Sequence, residues 1–221
     1  SIIKKCDIIF HVGAISDTEL QDCNEMLEWN YNSSKIIFDL ARKYDVKVVY
    51  SSSAANYGNG DGIPTNIYGW SKLLAEEYGL KACQKFVALR YFNVYGPGEE
   101  HKGKMASVAH QAWKKGKFKL FPKEPVRDFV YIDDVVDATL YAVFNDVEKG
   151  VYEVGTSENR TFEDMLNLMN IKYEYRDAID IPKGYQFLTK ADKNKFMKGW
   201  KPKYSLEEGI KKYKSYLDGN L

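Results

Sequence analysis

The order of apolar segments predicts an α/β fold built on a parallel sheet that is covered by helices on both faces. Three observations carry this. Short apolar runs recur at 6–13, 46–54 and 85–96, each closed by glycine or a serine cluster. The stretches between them, 25–45 and 68–82, space their apolar residues at helical period. Strands that alternate with helices need crossover connections, which are right-handed and place the helices on the sheet faces.

The elements follow in order. "CDIIFHVG" is a short buried strand. "EMLEWNYNSSKIIFDLARKYD" places Met26, Leu27, Tyr31, Ile36, Ile37, Leu40 and Ala41 on one helical face. "VKVVYSSSA" is the next strand, "YGWSKLLAEEYGLKA" the next helix, and "KFVALRYFNVYG" a third strand. After Gly96-Pro97 the rhythm changes. "MASVAHQAWKKG" reads as helix, "RDFVYIDDVVDATLYAVFND" as a strand running into a helix, and "GVYEVGT" and "IKYEYRD" as short strands. Two regions result: 1–96, the sheet region, and 97–221, mainly a mixed α/β lobe with some segments returning to the first. No repeat or low-complexity segment interrupts either.

Composition narrows the function classes. The chain has 221 residues, 44% of them apolar, which suffices for a sizeable core. Its 32 basic and 31 acidic residues are interspersed, so it carries no electrostatic footprint for nucleic acid or an anionic membrane. The lysines around 114–117 read as solvated helix ends. Cys6, Cys23 and Cys83 are scattered and never form a C-x-x-C pair, which argues for a reducing cytoplasm and against a zinc site. His11, His101 and His110 lack metal-ligand spacing. No apolar run reaches 18 residues, and the first residues lack the order of a signal peptide.

Open α/β sheets bind ligands at the carboxyl ends of their strands. "HVGAIS", "SSSAANYG" and "NVYGPG" all lie at such ends. Two Tyr-x-x-x-Lys pairs occur, about what chance would give, so spacing alone does not choose between them. Tyr31/Lys35 falls in mid-helix. Tyr68/Lys72 opens the helix that directly follows the serine loop, with both side chains on one face.

Taken in order, "VVYSSSAANYG", "YGWSK", "LRYFNVYGPG", "RDFVYIDDVVDA" and "GVYEVGT" resemble the extended short-chain dehydrogenases/reductases that act on nucleotide sugars, from about residue 6 to the C-terminus. "GPGEEHKGKMASVAHQ" and "KGYQFLTKAD" are similar to the branch that epimerises C6 of ADP-heptose. Ser53-Ala54 stands where a sugar dehydratase has Thr-Asp-Glu. The resemblance implies a Rossmann-type doubly wound sheet, with 1–96 as the C-terminal part of the dinucleotide-binding domain and 97–221 mainly the substrate lobe. It also implies an NADP cofactor (NAD being the alternative), ADP-heptose as substrate, a role in lipopolysaccharide core synthesis, and a homo-oligomer, commonly a pentamer.

The chemistry fits this pattern. A carbinol C–H is too weak an acid to be inverted by proton removal, whereas oxidation to a carbonyl and re-reduction from the other face achieves it. By resemblance Tyr68 and Lys102 are alternate acid/base groups, Ser53 polarises the reacting oxygen, and Lys72 lowers the Tyr68 pKa and binds cofactor. An ammonium within about 4–6 Å lowers such a pKa by about 1–3 units. Val12, Gly13, Ala14, Ile15, Ser16, Asn30, Val94 and Lys102 are the implied cofactor contacts. Asn93, Lys104, Phe121, Arg127 and Tyr185 are those to substrate, with the Arg127 fork suited to a diphosphate. Arg127 beside Asp128 also reads as a structural ion pair. Gln111 stands where the family has a substrate-binding His, and Lys104 where it has a small residue.

Several features depart from the family. Its glycine-rich phosphate turn is absent, and "GNGDG" at 58–62 has the wrong spacing and leads into Ile63-Pro64. An additional N-terminal segment of about half a domain is therefore expected. Ser53 and Tyr68 are closer than in the family and "FPKEPVRDF" is short, so discontinuities are expected near Gly62 and Lys123. Two other functions compete: a UDP-galactose-type 4-epimerase on the same fold, and a non-catalytic dinucleotide sensor, against which Ser53, Tyr68 and Lys72 all being present argues.

Overall fold

The structure is a computed structural model that describes residues 2–122, 124–181 and 185–219. Its elements run β1 (Ile8–His11), α1 (Cys23–Leu27), α2 (Ser33–Tyr44), β2 (Lys47–Ser53), α3 (Ile67–Ala82), β3 (Phe86–Tyr91), β4 (Asn93–Tyr95), α4 (Val108–Lys115) and β5 (Lys117–Leu120). They continue β6 (Val126–Tyr131), α5 (Ile132–Phe144), β7 (Gly150–Val154), β8 (Asn159–Thr161), α6 (Phe162–Leu168), β9 (Lys172–Tyr175) and α7 (Leu206–Leu217). The chain divides into two compact units. The first comprises residues through Tyr91 with 138–153 and 194–200; the second comprises 92–137, 154–193 and 201–221.

The first unit is the predicted sheet, in the order β1-β2-β3-β7, with β1 at one edge and β1, β2 and β3 parallel. Its core is aromatic: Phe38 of α2 meets Phe86 of β3 and Tyr50 of β2 edge-on, with ring centroids 5.1 and 5.5 Å apart. Helix α2 stops where Asp45 turns left-handed (φ 55°) and its N–H returns to Ala41. Helix α3 starts at Asn66, whose side chain accepts from Gly69 N at 2.8 Å. Gly69 is fixed by proximity, since a Cβ there would stand 2.8 Å from the carbonyl oxygen of Ala55. The start of α3 thus lies directly against the serine loop.

Two local departures from the predicted elements matter. The expected continuous helix at 25–45 contains a π-helical turn, Glu28–Asn32, between α1 and α2. Ser33 and Ser34 donate their hydroxyls to the carbonyls of Trp29 and Asn30, four residues back, and so compete for the helix's own acceptors. The turn carries Asn30, and single π turns inside helices recur at functional sites. The expected break near Gly62 is a closed turn instead. Gly58, Gly60 and Gly62 all have positive φ, and the N–H groups of Gly60 and Gly62 both reach Tyr57 O, at 2.9 and 3.2 Å. The break expected at Lys123 lies outside the described residues.

The second unit holds a sheet in the order β4-β6-β8 and a parallel pair, β5-β9. The single strand predicted over 85–96 ends at Tyr91, and β4 joins β6 in this other sheet. Buried Phe92 marks the change, its N–H bonding Val154 O at 3.1 Å. Helices α6 and α7 each open with a reciprocal capping box, Thr161/Asp164 and Ser205/Glu208. Fully buried Asp128 accepts from the N–H groups of Thr156, Ser157 and Ala191 at 2.7, 2.7 and 2.9 Å. Its oxygens are committed to these loops, so the sequence alternative of an Arg127–Asp128 ion pair is not what forms.

Candidate active site

In the first unit, Ser53 ends β2 and Tyr68 and Lys72 lie on the first turns of α3. The Ser53 oxygen accepts from Ala55 N at 3.1 Å, which leaves its own proton to offer to the Tyr68 phenol. Burial pushes the Tyr68 pKa up and the Ser53 bond pulls it back. Lys72 was expected to do the lowering, and here it does not contribute. Its ammonium lies over the Tyr50 ring, 4.4 Å from the centroid.

Lys72 is 3% exposed, and burial brings its pKa down to about 7, with Glu76 opposing. No described side chain accepts a hydrogen bond from it; Glu76, one turn further on, instead accepts from Ser52 (2.6 Å), Asn56 (3.3 Å) and Arg90 (2.5 and 3.1 Å). Three ammonium donors thus remain for a ligand.

Behind Lys72, His11 stacks on Tyr50 with centroids 5.5 Å apart and meets Ser34 Oγ at 2.7 Å. Ser34 gives its proton to Asn30 O, so it accepts from His11 Nε2–H, and the imidazole is neutral. Burial first, then Lys72, lowers the His11 pKa to about 4. Asn30 is tied to the loop after β1: it accepts from Ile15 N at 2.8 Å and donates to Ile15 O at 2.9 Å and Ser71 Oγ at 3.0 Å. Val12, Gly13, Ala14 and Ser16, in the same loop, are exposed.

Both depressed pKa values make stability rise with pH, because the folded chain binds fewer protons than the unfolded one. The His11 contribution is complete above about 6.5 and lost towards about 4; the Lys72 contribution is complete above about 10.5 and lost towards about 7. Lys72→Met is therefore expected to flatten the rise in melting temperature between pH 7 and 10. An unchanged slope would show that Lys72 is ordinarily solvated.

In the second unit, Asn93 accepts from Thr189 Oγ1 at 3.1 Å, and Val94 follows it in β4. Phe121 and Tyr185 meet edge-on at 5.2 Å, and the Arg127 guanidinium lies 5.0 Å from the Tyr185 centroid. The sequence-derived trio Phe121, Arg127 and Tyr185 is thus brought together. Lys102 and Lys104 are exposed on the 3₁₀ segment Glu100–Met105, where Gly103 has φ 55°. Gln111 donates to Lys104 O and Ala106 O, at 3.0 and 2.8 Å, and is occupied in shaping that turn.

Sequence reasoning missed Tyr50, Glu76 and the His11–Ser34 pair. Glu76 was findable as a charge four residues from Lys72 on the same helical face. Tyr50 carried no signal beyond being a strand residue.

The family model described as the NAD dependent epimerase/dehydratase family matches residues 1–155. The chain belongs to this family. Among curated members, the ADP-L-glycero-D-manno-heptose-6-epimerase of Fusobacterium nucleatum is 32% identical, over 96% of this chain and 77% of its own length. That of Brachyspira hyodysenteriae is 34% identical, over 97% and 76%. The crystal structure of the Helicobacter pylori enzyme of that name matches with a TM-score of 0.85 and 33% identity, covering 98% of this chain and 74% of that one. This epimerase/dehydratase chain therefore has the Rossmann-type fold read from its motifs. A nicotinamide dinucleotide is its family's cofactor. The buried, donor-rich Lys72 and the fixed loop of Ile15 and Asn30 fit the hydroxyls and amides of such a group.

Proposed function

We propose that this chain inverts C6 of ADP-D-glycero-D-manno-heptose to give the L-glycero epimer. The observation that carries the reading is that Tyr68 and buried Lys72 stand one turn apart on α3, with the Ser53 hydroxyl lowering the pKa of the Tyr68 phenol, in a chain 32–34% identical to heptose epimerases. When bound, the nicotinamide supplies reversible uptake of hydride from the carbinol.

Tyr68, kept protonated by burial, donates its proton to the sugar oxygen as the carbonyl is reduced and recovers it in the oxidation direction. The Ser53 hydroxyl holds that oxygen in line. Lys102 exchanges the proton for the other orientation of the carbonyl, and Lys72 binds the cofactor's ribose hydroxyls. Val12 to Ser16, Asn30, Val94 and Lys102 line the cofactor. Asn93 and Lys104 meet the sugar, while Arg127, Phe121 and Tyr185 hold the adenosine diphosphate. Residues 1–96 supply the dinucleotide half and 97–221 most of the substrate lobe. We assign NADP as the dinucleotide, a cytoplasmic homo-oligomer as the working form, and lipopolysaccharide core synthesis as the setting; no described helix is long and apolar enough to cross a membrane.

The test is incubation of the protein with ADP-D-glycero-D-manno-heptose and, separately, UDP-galactose, with products separated by chromatography. C6 inversion of the heptose is expected. Turnover of UDP-galactose alone would make the chain a hexose 4-epimerase. Denaturing the purified protein and identifying the released dinucleotide decides NADP against NAD.

A further inference from the structure

The second unit buries two opposite charges without pairing them. Arg127, 6% exposed, gives one N–H to Val126 O at 2.9 Å and otherwise rests on aromatic faces, 5.0 Å from the Tyr185 centroid and 5.5 Å from that of Phe162. Glu163, the residue after Phe162, is 9% exposed, and neither of its carboxylate oxygens has a hydrogen-bond partner among the described residues. Burial lowers the Arg127 pKa, and only the Tyr185 phenol opposes this. The two charges form no ion pair.

Tyr185 is their common neighbour: burial pushes its phenol up, Arg127 pulls it down and Glu163 pushes it up again. Tyr175, about half exposed, also feels the carboxylate. Burial and then the Glu163 charge raise its phenol, yet the hydrogen bond to the carboxylate is not completed.

A buried ion without a counter-ion is costly, so a fold that keeps two opposite charges apart forgoes their attraction. A ligand that satisfies both recovers that cost. It must carry an anion for the Arg127 fork and, at its other end, hydrogen-bond donors, because a carboxylate only accepts. Two empty oxygens on one carboxylate call for two adjacent donors. A phosphate offers none and would be repelled, whereas a vicinal diol offers both.

We propose that Glu163 is the acceptor for the two ribose hydroxyls of the nucleoside diphosphate whose phosphates lie on Arg127. This rests on the reading of Arg127 as the diphosphate residue and adds to it a residue that selects the nucleoside. The capping box at the start of α6 fixes the backbone that carries Glu163.

Calorimetric titration with ADP, 2′,3′-dideoxy-ADP and inorganic pyrophosphate tests the proposal on the wild type and on Glu163→Leu, Glu163→Gln and Arg127→Leu. The wild type is expected to prefer ADP over the dideoxy compound by about tenfold or more, as charge-assisted hydrogen bonds imply. Glu163→Leu is expected to bind both nucleotides alike, at the wild type's dideoxy affinity, with pyrophosphate binding unchanged. Its melting temperature is not expected to fall, because the variant removes an unpartnered buried charge. Should it unfold, Glu163→Gln keeps the shape and is expected to retain only part of the preference.

A Glu163 variant that keeps the full preference for ADP overturns the proposal. A separate failure, pyrophosphate binding unaffected by Arg127→Leu, would instead remove the diphosphate reading.

Discussion

Tyr68→Phe is expected to lower turnover of ADP-heptose by about 10²- to 10⁴-fold, the range for loss of a positioned acid/base group. Cofactor affinity and melting temperature should stay near wild type. The substitution removes one oxygen from a half-buried ring whose remaining contacts persist, and the Ser53 proton it frees can go to water, because Ser53 is itself only partly buried. The loss should fall on kcat rather than KM, since proton transfer is made in the transition state and not in the ground-state complex. Steady-state kinetics with a parallel cofactor titration reads both. Activity within a few-fold of wild type would remove Tyr68 from the proton path.

Ser53→Ala has a different signature at the same phenol. Without the hydroxyl, the group opposing burial at Tyr68 is gone and the phenol moves further up. The alkaline limb of the activity profile that reports Tyr68 would then shift to higher pH, which the Phe variant cannot show. The two variants separate the group that transfers the proton from the group that tunes it.

The elements that positioned this site were legible where local pattern and tertiary burial agree. The apolar run ending at His11, the strand that closes on three serines, and the amphipathic α2 each follow from period and punctuation. The break at Phe92 was hidden, because "VALRYFNVY" has no glycine or proline where the chain changes sheet. The π turn was hidden too: it inserts a local change without disturbing the apolar period on either side. Strand β5 was available in the alternation of "KFKL" but is short and charged, so it read as the end of a helix.

At the site, the Tyr68/Lys72 spacing implied two groups one turn apart on a helix, and α3 carries both. It could not say which ring the lysine's four-carbon stem reaches. Tyr50, upstream on another element, takes the ammonium, and only the tertiary packing of β2 against α3 brings it there. Glu163 has the same character: a glutamate in the first turn of a helix is ordinary in sequence, and its importance lies in the absence of a partner.

Glu76→Ala is expected to be the most destabilising single truncation in the first unit, by about 3–5 kcal/mol, the cost of breaking a buried ion pair from one side. The Glu76 side chain is fully buried and grips Arg90 with both oxygens, while also accepting from Ser52 and Asn56. Removing it leaves the Arg90 guanidinium, only 15% exposed, facing a cavity rather than water. Ser52 and Asn56 flank Ser53, so the damage should extend from stability to the catalytic loop. Urea denaturation measures the first effect, and the residual activity of the folded fraction the second. Glu76→Gln retains the shape and an acceptor but loses the charge, so its loss should be smaller than that of the alanine variant. A double variant that also replaces Arg90 with Leu should recover part of the stability, because no unpaired charge then remains buried. If Glu76→Ala cost less than about 1 kcal/mol, the pair would rank with exposed surface bridges, which contribute little. The rigidity of the Ser53 loop would then have to come from α3 packing on Ala55 alone.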